Sequence, residues 1–181
     1  MERLPQFRFH ADPLRTGSVE PSNNKCVCCE RSRGYIYVGP VYAEEEYASC
    51  ICPWCISEGS AHARLDVSFH DESSIGGCEW DPVPQSSIEE IAFRTPGFCG
   101  WQQERWWSHC GEAACFLGRA GREELDAAGA QAIASIRESA GITSDEEWAS
   151  FFDAFDKDGS PTAYLFRCIR CGVLGGYQDC D

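Results

Sequence analysis

A chain of 181 residues, 43% apolar and 12% aromatic, is long enough to bury a core and too apolar to be a disordered tail. Its formal charge of −14 argues against nucleic-acid binding, and no apolar run approaches the roughly 20 residues of a transmembrane helix. Thirteen cysteines, with no apolar segment after Met1-Glu2-Arg3-Leu4-Pro5, favour metal binding over disulfides and lead to the expectation of a cytoplasmic protein without a membrane partner.

Residues 3–20 predict a short extended piece with Phe7 and Phe9 on one face, then a turn at Asp12-Pro13 and Thr16-Gly17. His10 beside Asp12 is a candidate acid/base pair only if a further partner exists; without one it is a surface histidine. The most specific chemical signal follows. Cys26-Val27-Cys28-Cys29 and Cys52-Pro53-Trp54-Cys55 form two C-x-x-C pairs separated by 22 residues. Each pair can close a tight knuckle, so Cys26, Cys29, Cys52 and Cys55 are candidate ligands of a tetrahedral Zn²⁺. Cys28 and Cys50 flank them and could substitute in this register. Between the pairs, Tyr35-Ile36-Tyr37-Val38 and Val41-Tyr42 around Gly39-Pro40 predict a hairpin, and Ile56–Leu65 predicts a helix with the second pair in its first turn. Knuckle, hairpin and helix in that order describe a treble-clef or zinc-ribbon-like finger over 26–65. The competing reading is a redox dithiol at Cys52 and Cys55, which the upstream cysteine pair and the lack of a βαβ pattern disfavour.

Leu65–Phe69 alternates like a strand end, and a polar loop containing Cys78 and Trp80 runs to Pro84. Ser87 with Glu90 predicts a capped helix ending before Pro96. Trp101–His109 predicts a loosely amphipathic helix with its tryptophans in the core, Cys115–Gly118 a strand, and Glu123–Ser139 the clearest helix. Ser144 with Glu147 caps a further helix whose buried face is Trp148, Phe151, Phe152 and Phe155. Asp156-Lys157-Asp158-Gly159 has its glycine too early for a calcium loop and predicts a turn into the strand Ala163–Phe166. That strand delivers Cys168-Ile169-Arg170-Cys171-Gly172, a second knuckle. Cys168 and Cys171 need two more ligands; Cys110, which also precedes a glycine, is the first choice, and Cys99, His109 and Cys115 compete for the last place. The fold class is thus α+β: a small zinc-stapled single domain over 1–181, holding the finger, a helical region and a second cysteine knuckle within 95–181.

The chain resembles the CbrC family of small bacterial proteins known for colicin tolerance. The likeness is carried by Leu4-Pro5-Gln6-Phe7, His10-x-Asp12-Pro13, Gly39-Pro40-x-Tyr42, Cys52-Pro53-Trp54-Cys55-Ile56-x-x-Gly59-Ser60-Ala61, Thr95-Pro96-Gly97-Phe98-x-Gly100-Trp101-Gln102-Gln103, His109-Cys110-Gly111 and Tyr164-Leu165-Phe166-Arg167-Cys168. Residues 71–86 and 119–160 lie outside it. The resemblance implies tolerance of a nuclease-type colicin and carries no enzyme chemistry onto named residues.

The expected function is therefore a zinc-binding acidic protein, with one Zn²⁺ or two, that confers tolerance or immunity to a basic nuclease toxin; an acidic surface accelerates capture of such a partner. The expectation is not an enzyme. A metal- or thiol-dependent enzyme is the alternative, with Cys52, Cys55, His10, His62, His70 and His109 as its candidates, and a nucleic-acid-binding ribbon ranks last.

Overall fold

The computed structural model describes residues 2–77 and 79–180 as a mixed α+β chain. The chain divides into two compact units, one of Met1–Ile75 with Val83–Cys99 and one of Gly76–Pro82 with Gly100–Asp181. The 26–65 segment lies wholly in the first and the second knuckle wholly in the other.

In the first unit β1 (Val19–Pro21) pairs antiparallel with β2 (Tyr35–Tyr37), Glu20 opposite Ile36. The expected hairpin over 35–42 does not form. Tyr37 instead bridges Ile51 and folds its hydroxyl onto the Pro40 carbonyl at 2.7 Å, while Tyr42 bridges Ser68. The predicted helix splits into α1 (Pro53–Ser57) and α2 (Ser60–Leu65) at Gly59, whose φ of +75° interrupts helical geometry. Leu65 closes α2 and Asp66 takes φ +51°, so the expected strand over 65–69 shrinks to the single bridge at Ser68.

Helix α3 (Gln85–Arg94) starts before its predicted cap: Pro84 is the capping residue, and Ser87, buried in the first turn, donates its amide to the Pro84 carbonyl. It stops at Thr95, which is extended (φ −127°, ψ 132°) because Pro96 disfavours helical geometry in the residue before it. The core is Val19, Ile36, Ile51, Ile56, Val67 and Phe69 around the cysteines. Gly97 lies so close to this core that a Cβ there would sit 2.1 Å from the Phe69 carbonyl oxygen.

The second unit is a three-stranded antiparallel sheet in the order β3 (Cys115–Ala120), β4 (Thr162–Arg167), β5 (Leu174–Asp179), with a register shift in β3 between Phe116 and Gly118. The predicted helix at 123–139 is two, α4 (Arg122–Ala128) and α5 (Ala130–Ala140), divided by Gly129 at φ +89°. Helix α6 (Asp145–Asp153) begins as expected, with the Ser144 hydroxyl accepting from the Glu147 amide. Leu125, Ile136, Trp148, Phe155 and Ala163 pack together.

Trp101–His109 is not helical. The amides of Trp101 and Gln102 donate to Asp179 Oδ2 at 2.9 and 3.0 Å, and Ser108 bridges Ala113. In an extended chain, adjacent side chains face opposite ways. Trp106 therefore packs on Phe116 and Phe166, Trp107 stacks on His109, and both are buried, while Trp101 remains 46% exposed.

Candidate metal centres

The turn at Cys26–Glu30 is closed by Glu30 N–H donating to the Cys26 carbonyl at 2.7 Å, and Glu30 itself occupies φ +57°. Cys52 is the extended residue before α1, Pro53 opens the helix where its missing N–H costs nothing, and Cys55 lies one turn in. The result brings Cys26, Cys29, Cys52 and Cys55 together, their four sulfurs within 4.8 Å of one another. Cys26 and Cys55 sulfurs are 3.8 Å apart, and those of Cys29 and Cys52 3.9 Å. A tetrahedral ion with sulfurs at about 2.3 Å requires sulfur–sulfur edges of about 3.8 Å, whereas a disulfide requires about 2.05 Å. The donor set fits a metal ion and not a disulfide.

Electrostatics agree with the geometry. The Cys26 thiol is pulled down to about 4 because it accepts from the Cys52 thiol and from the amides of Cys52, Cys29 and Cys28, against the effect of burial. Cys52 is pushed well up by giving its hydrogen to Cys26 and by burial, and Cys55 is pushed up by burial and by the Cys26 charge. Without a cation, the Cys26 charge disfavours ionisation of Cys52 and Cys55; a divalent ion would favour it. The flanking thiols stand apart: Cys28 is directed to the Ser60 hydroxyl at 3.7 Å, and half-buried Cys50 lies outside the cluster.

The second cluster is His109, Cys110, Cys168 and Cys171, likewise within 4.8 Å. The Cys168–Gly172 knuckle joins β4 to β5; Gly172 takes φ +78° and donates to the Cys168 carbonyl at 2.9 Å. Facing it, Cys110 (φ +58°) and Gly111 (φ +65°) make a second left-handed turn, anchored by Gly111 N–H on Asp81 Oδ2 at 3.0 Å. The Cys110 and Cys171 sulfurs are 3.7 Å apart, and His109 Nδ1 is 3.2 and 3.5 Å from them. Mixed sulfur–nitrogen edges of a tetrahedral zinc would be about 3.6 Å. Burial opposes ionisation of Cys168, but the amides of Cys171 and Arg170 outweigh it and bring the thiol down to about 6. Cys110 is raised to about 11 by its hydrogen bond to Cys171.

Histidine thus occupies the open fourth place. Cys115 is buried in β3 with its thiol toward the Phe116 carbonyl, and Cys99 belongs to the first unit. The signal available in the sequence was the adjacency His109-Cys110-Gly111, which presents two donors from one turn. Cys78 lies outside the described residues. The other histidines lie outside both clusters: His10 contacts the Pro96 carbonyl through Nδ1 and the Thr16 hydroxyl through Nε2, His62 stacks on Phe93, and His70 is buried near Phe98. A cleft of about 520 Å³ beside His109 includes Trp80, Asp81, Trp107 and Glu138 in its lining. Among the described residues no helix is long and apolar enough to cross a membrane.

The model of an uncharacterised protein family, UPF0167, matches residues 4–180. The chain is similar to UPF0167 protein Mb2317 of Mycobacterium bovis, 46% identical over 190 residues and covering 98% of this chain and 94% of that protein. UPF0167 protein MT2352 of Mycobacterium tuberculosis shows the same identity and coverage. UPF0167 protein PA1536 of Pseudomonas aeruginosa is 41% identical over 170 residues, 93% of each chain. No solved structure matches.

Proposed function

The chain belongs to the uncharacterised protein family UPF0167, and we propose that it is a zinc-stapled, non-enzymatic protein whose acidic surface captures a basic protein partner. The metal part is carried by one observation: two four-donor clusters whose sulfur–sulfur separations of 3.7–3.9 Å match the edges of a zinc tetrahedron. The first cluster then has the ligand set of a treble-clef-like finger, knuckle and helix supplying two cysteines each. None of the twelve described cysteines is in a disulfide, which suits a reducing, cytoplasmic setting.

The partner part rests on the formal charge of −14, since a field of that sign draws basic surfaces and repels phosphates. The likeness to the CbrC family supports a nuclease-type toxin as that partner and tolerance or immunity as the outcome. A redox dithiol is disfavoured by burial: Cys52 is 1% and Cys55 2% exposed, and the Cys52 thiol is pushed up, opposite to an attacking thiolate.

Two measurements test this reading. Elemental analysis of protein purified without added metal should give two zinc ions per chain, and a metal-free folded chain would overturn the metal part. Association with a basic nuclease domain, against no binding to DNA or RNA at low salt, should support the partner part; nucleic-acid binding alone would reverse it.

A further inference from the structure

The two clusters differ in what an oxidant can reach. In the first, Cys26, Cys52 and Cys55 are no more than 2% exposed and Cys29 is half-buried, so no two exposed sulfurs face each other. In the second, Cys168 is buried, but Cys110 and Cys171 are exposed and their sulfurs are 3.7 Å apart. Each lies on a turn closed by a left-handed glycine, Gly111 after Cys110 and Gly172 after Cys171. Sulfur reactivity with peroxides follows thiolate character and access, and zinc ligation supplies the first without burying the second.

We infer that Cys110 and Cys171 form an oxidation site at which a peroxide converts the ligand pair to a disulfide and releases the second zinc, while the first centre keeps its ion. The inference rests on the metal reading above. One exposed thiolate attacks a peroxide oxygen, the O–O bond breaks, and a sulfenic acid and hydroxide result. The second thiolate attacks that sulfur, expels hydroxide and closes the S–S bond. Two sulfurs have given two electrons to one hydrogen peroxide, which with two protons leaves as two waters. The sulfurs must close from 3.7 Å to about 2.05 Å, a movement confined to two exposed turns. The centre is left with Cys168 and His109, too few ligands for a closed zinc site. Cys168 does not compete for the oxidant: it is 2% exposed and its thiol is directed to the His109 carbonyl.

The test uses the full zinc-loaded chain, with zinc counted first, then hydrogen peroxide added beside a chromogenic zinc chelator. One zinc should be released about tenfold or more faster than the other. Peptide mass spectrometry should show a Cys110–Cys171 linkage that a dithiol reductant reverses with recovery of the ion. The same release from Cys99→Ser protein should show that the third exposed thiol among the described residues takes no part. Release of both ions at one rate, a Cys168–Cys171 linkage, or no release under peroxide would overturn the inference while leaving intact the reading that the chain binds two zincs. A chain holding no zinc before peroxide would overturn the metal reading and the inference with it. Because the parent chain is measured, neither result depends on a ligand variant folding.

Discussion

Burial of a histidine is a statement about stability as well as position. His10 is pushed down to about 4 chiefly by desolvation, with the Pro96 hydrogen bond and Asp12 only partly opposing, and His70 is pushed down to about 3 by desolvation. In the unfolded chain both would titrate near 6.5. Between that value and the folded one, the unfolded state holds a proton that the folded state lacks. Stability is thus complete above pH 6.5 and falls as pH drops toward 4, by about 1.4 kcal/mol per pH unit for each histidine. Urea unfolding of the parent and of His10→Gln between pH 7 and 5 should show a shallower loss in the variant; identical slopes would mean His10 is charged in the folded state. The sequence showed His10 only as a neighbour of Asp12, because the Pro96 carbonyl that fixes it is 86 residues away. The two candidate donor clusters were legible at this scale because paired cysteines encode local geometry. The choice among Cys99, His109 and Cys115 had only the His109-Cys110 adjacency as a signal, since setting Cys115 aside depends on which thiols the sheet buries.

At the scale of elements, local signals succeeded where local physics decides. Ser144 accepts from the Glu147 amide as its spacing implied, and Ser144→Ala should cost about 1 kcal/mol. Gly141 takes φ +67° in open space, so Gly141→Ala should cost a similar amount, about 1 kcal/mol of backbone strain. Gly176 differs: at φ +153°, a Cβ would stand 1.9 Å from the Tyr164 carbonyl oxygen of the neighbouring strand. Gly176→Ala should therefore cost about 3 kcal/mol or more, read as a loss of thermal midpoint far beyond that of the other two. Equal losses in all three would refute the close packing of β4 on β5 at this point. The same distinction explains the misread segments. The Trp101–His109 stretch has helical spacing, but its amides are held by Asp179 from the far end of the chain. Tyr35–Tyr37 looked like half of a hairpin, yet its partner is Val19–Pro21, upstream of the first knuckle. Gly129 divides a pattern that looks continuous, because periodicity does not register a single positive φ.

For the whole molecule, the proposed capture of a basic partner depends on which part of the −14 charge is free to act. Asp145, Glu146 and Glu147 are not: they occupy the first turn of α6, where negative charge favours the helix, and Asp145 pairs with Arg137 at 2.7 Å. Reversing them would mix folding with binding. Glu44, Glu45 and Glu46 lie exposed outside any helix or strand, and the one contact described among them is the Tyr47 hydroxyl donating to Glu45 at 2.9 Å. Changing all three to Lys adds two charges at each position and moves the formal charge from −14 to −8. Stability should stay within about 0.5 kcal/mol of the parent, as exposed substitutions do. Association with a basic nuclease domain should slow about tenfold at low salt, and the difference should vanish at about 0.5 M salt, where screening shortens the field to a few ångströms. Dissociation should change far less, because steering acts on encounter and not on the docked contacts. An unchanged association rate at low salt would remove these three carboxylates from the proposed capture surface and count against the electrostatic part of the proposal.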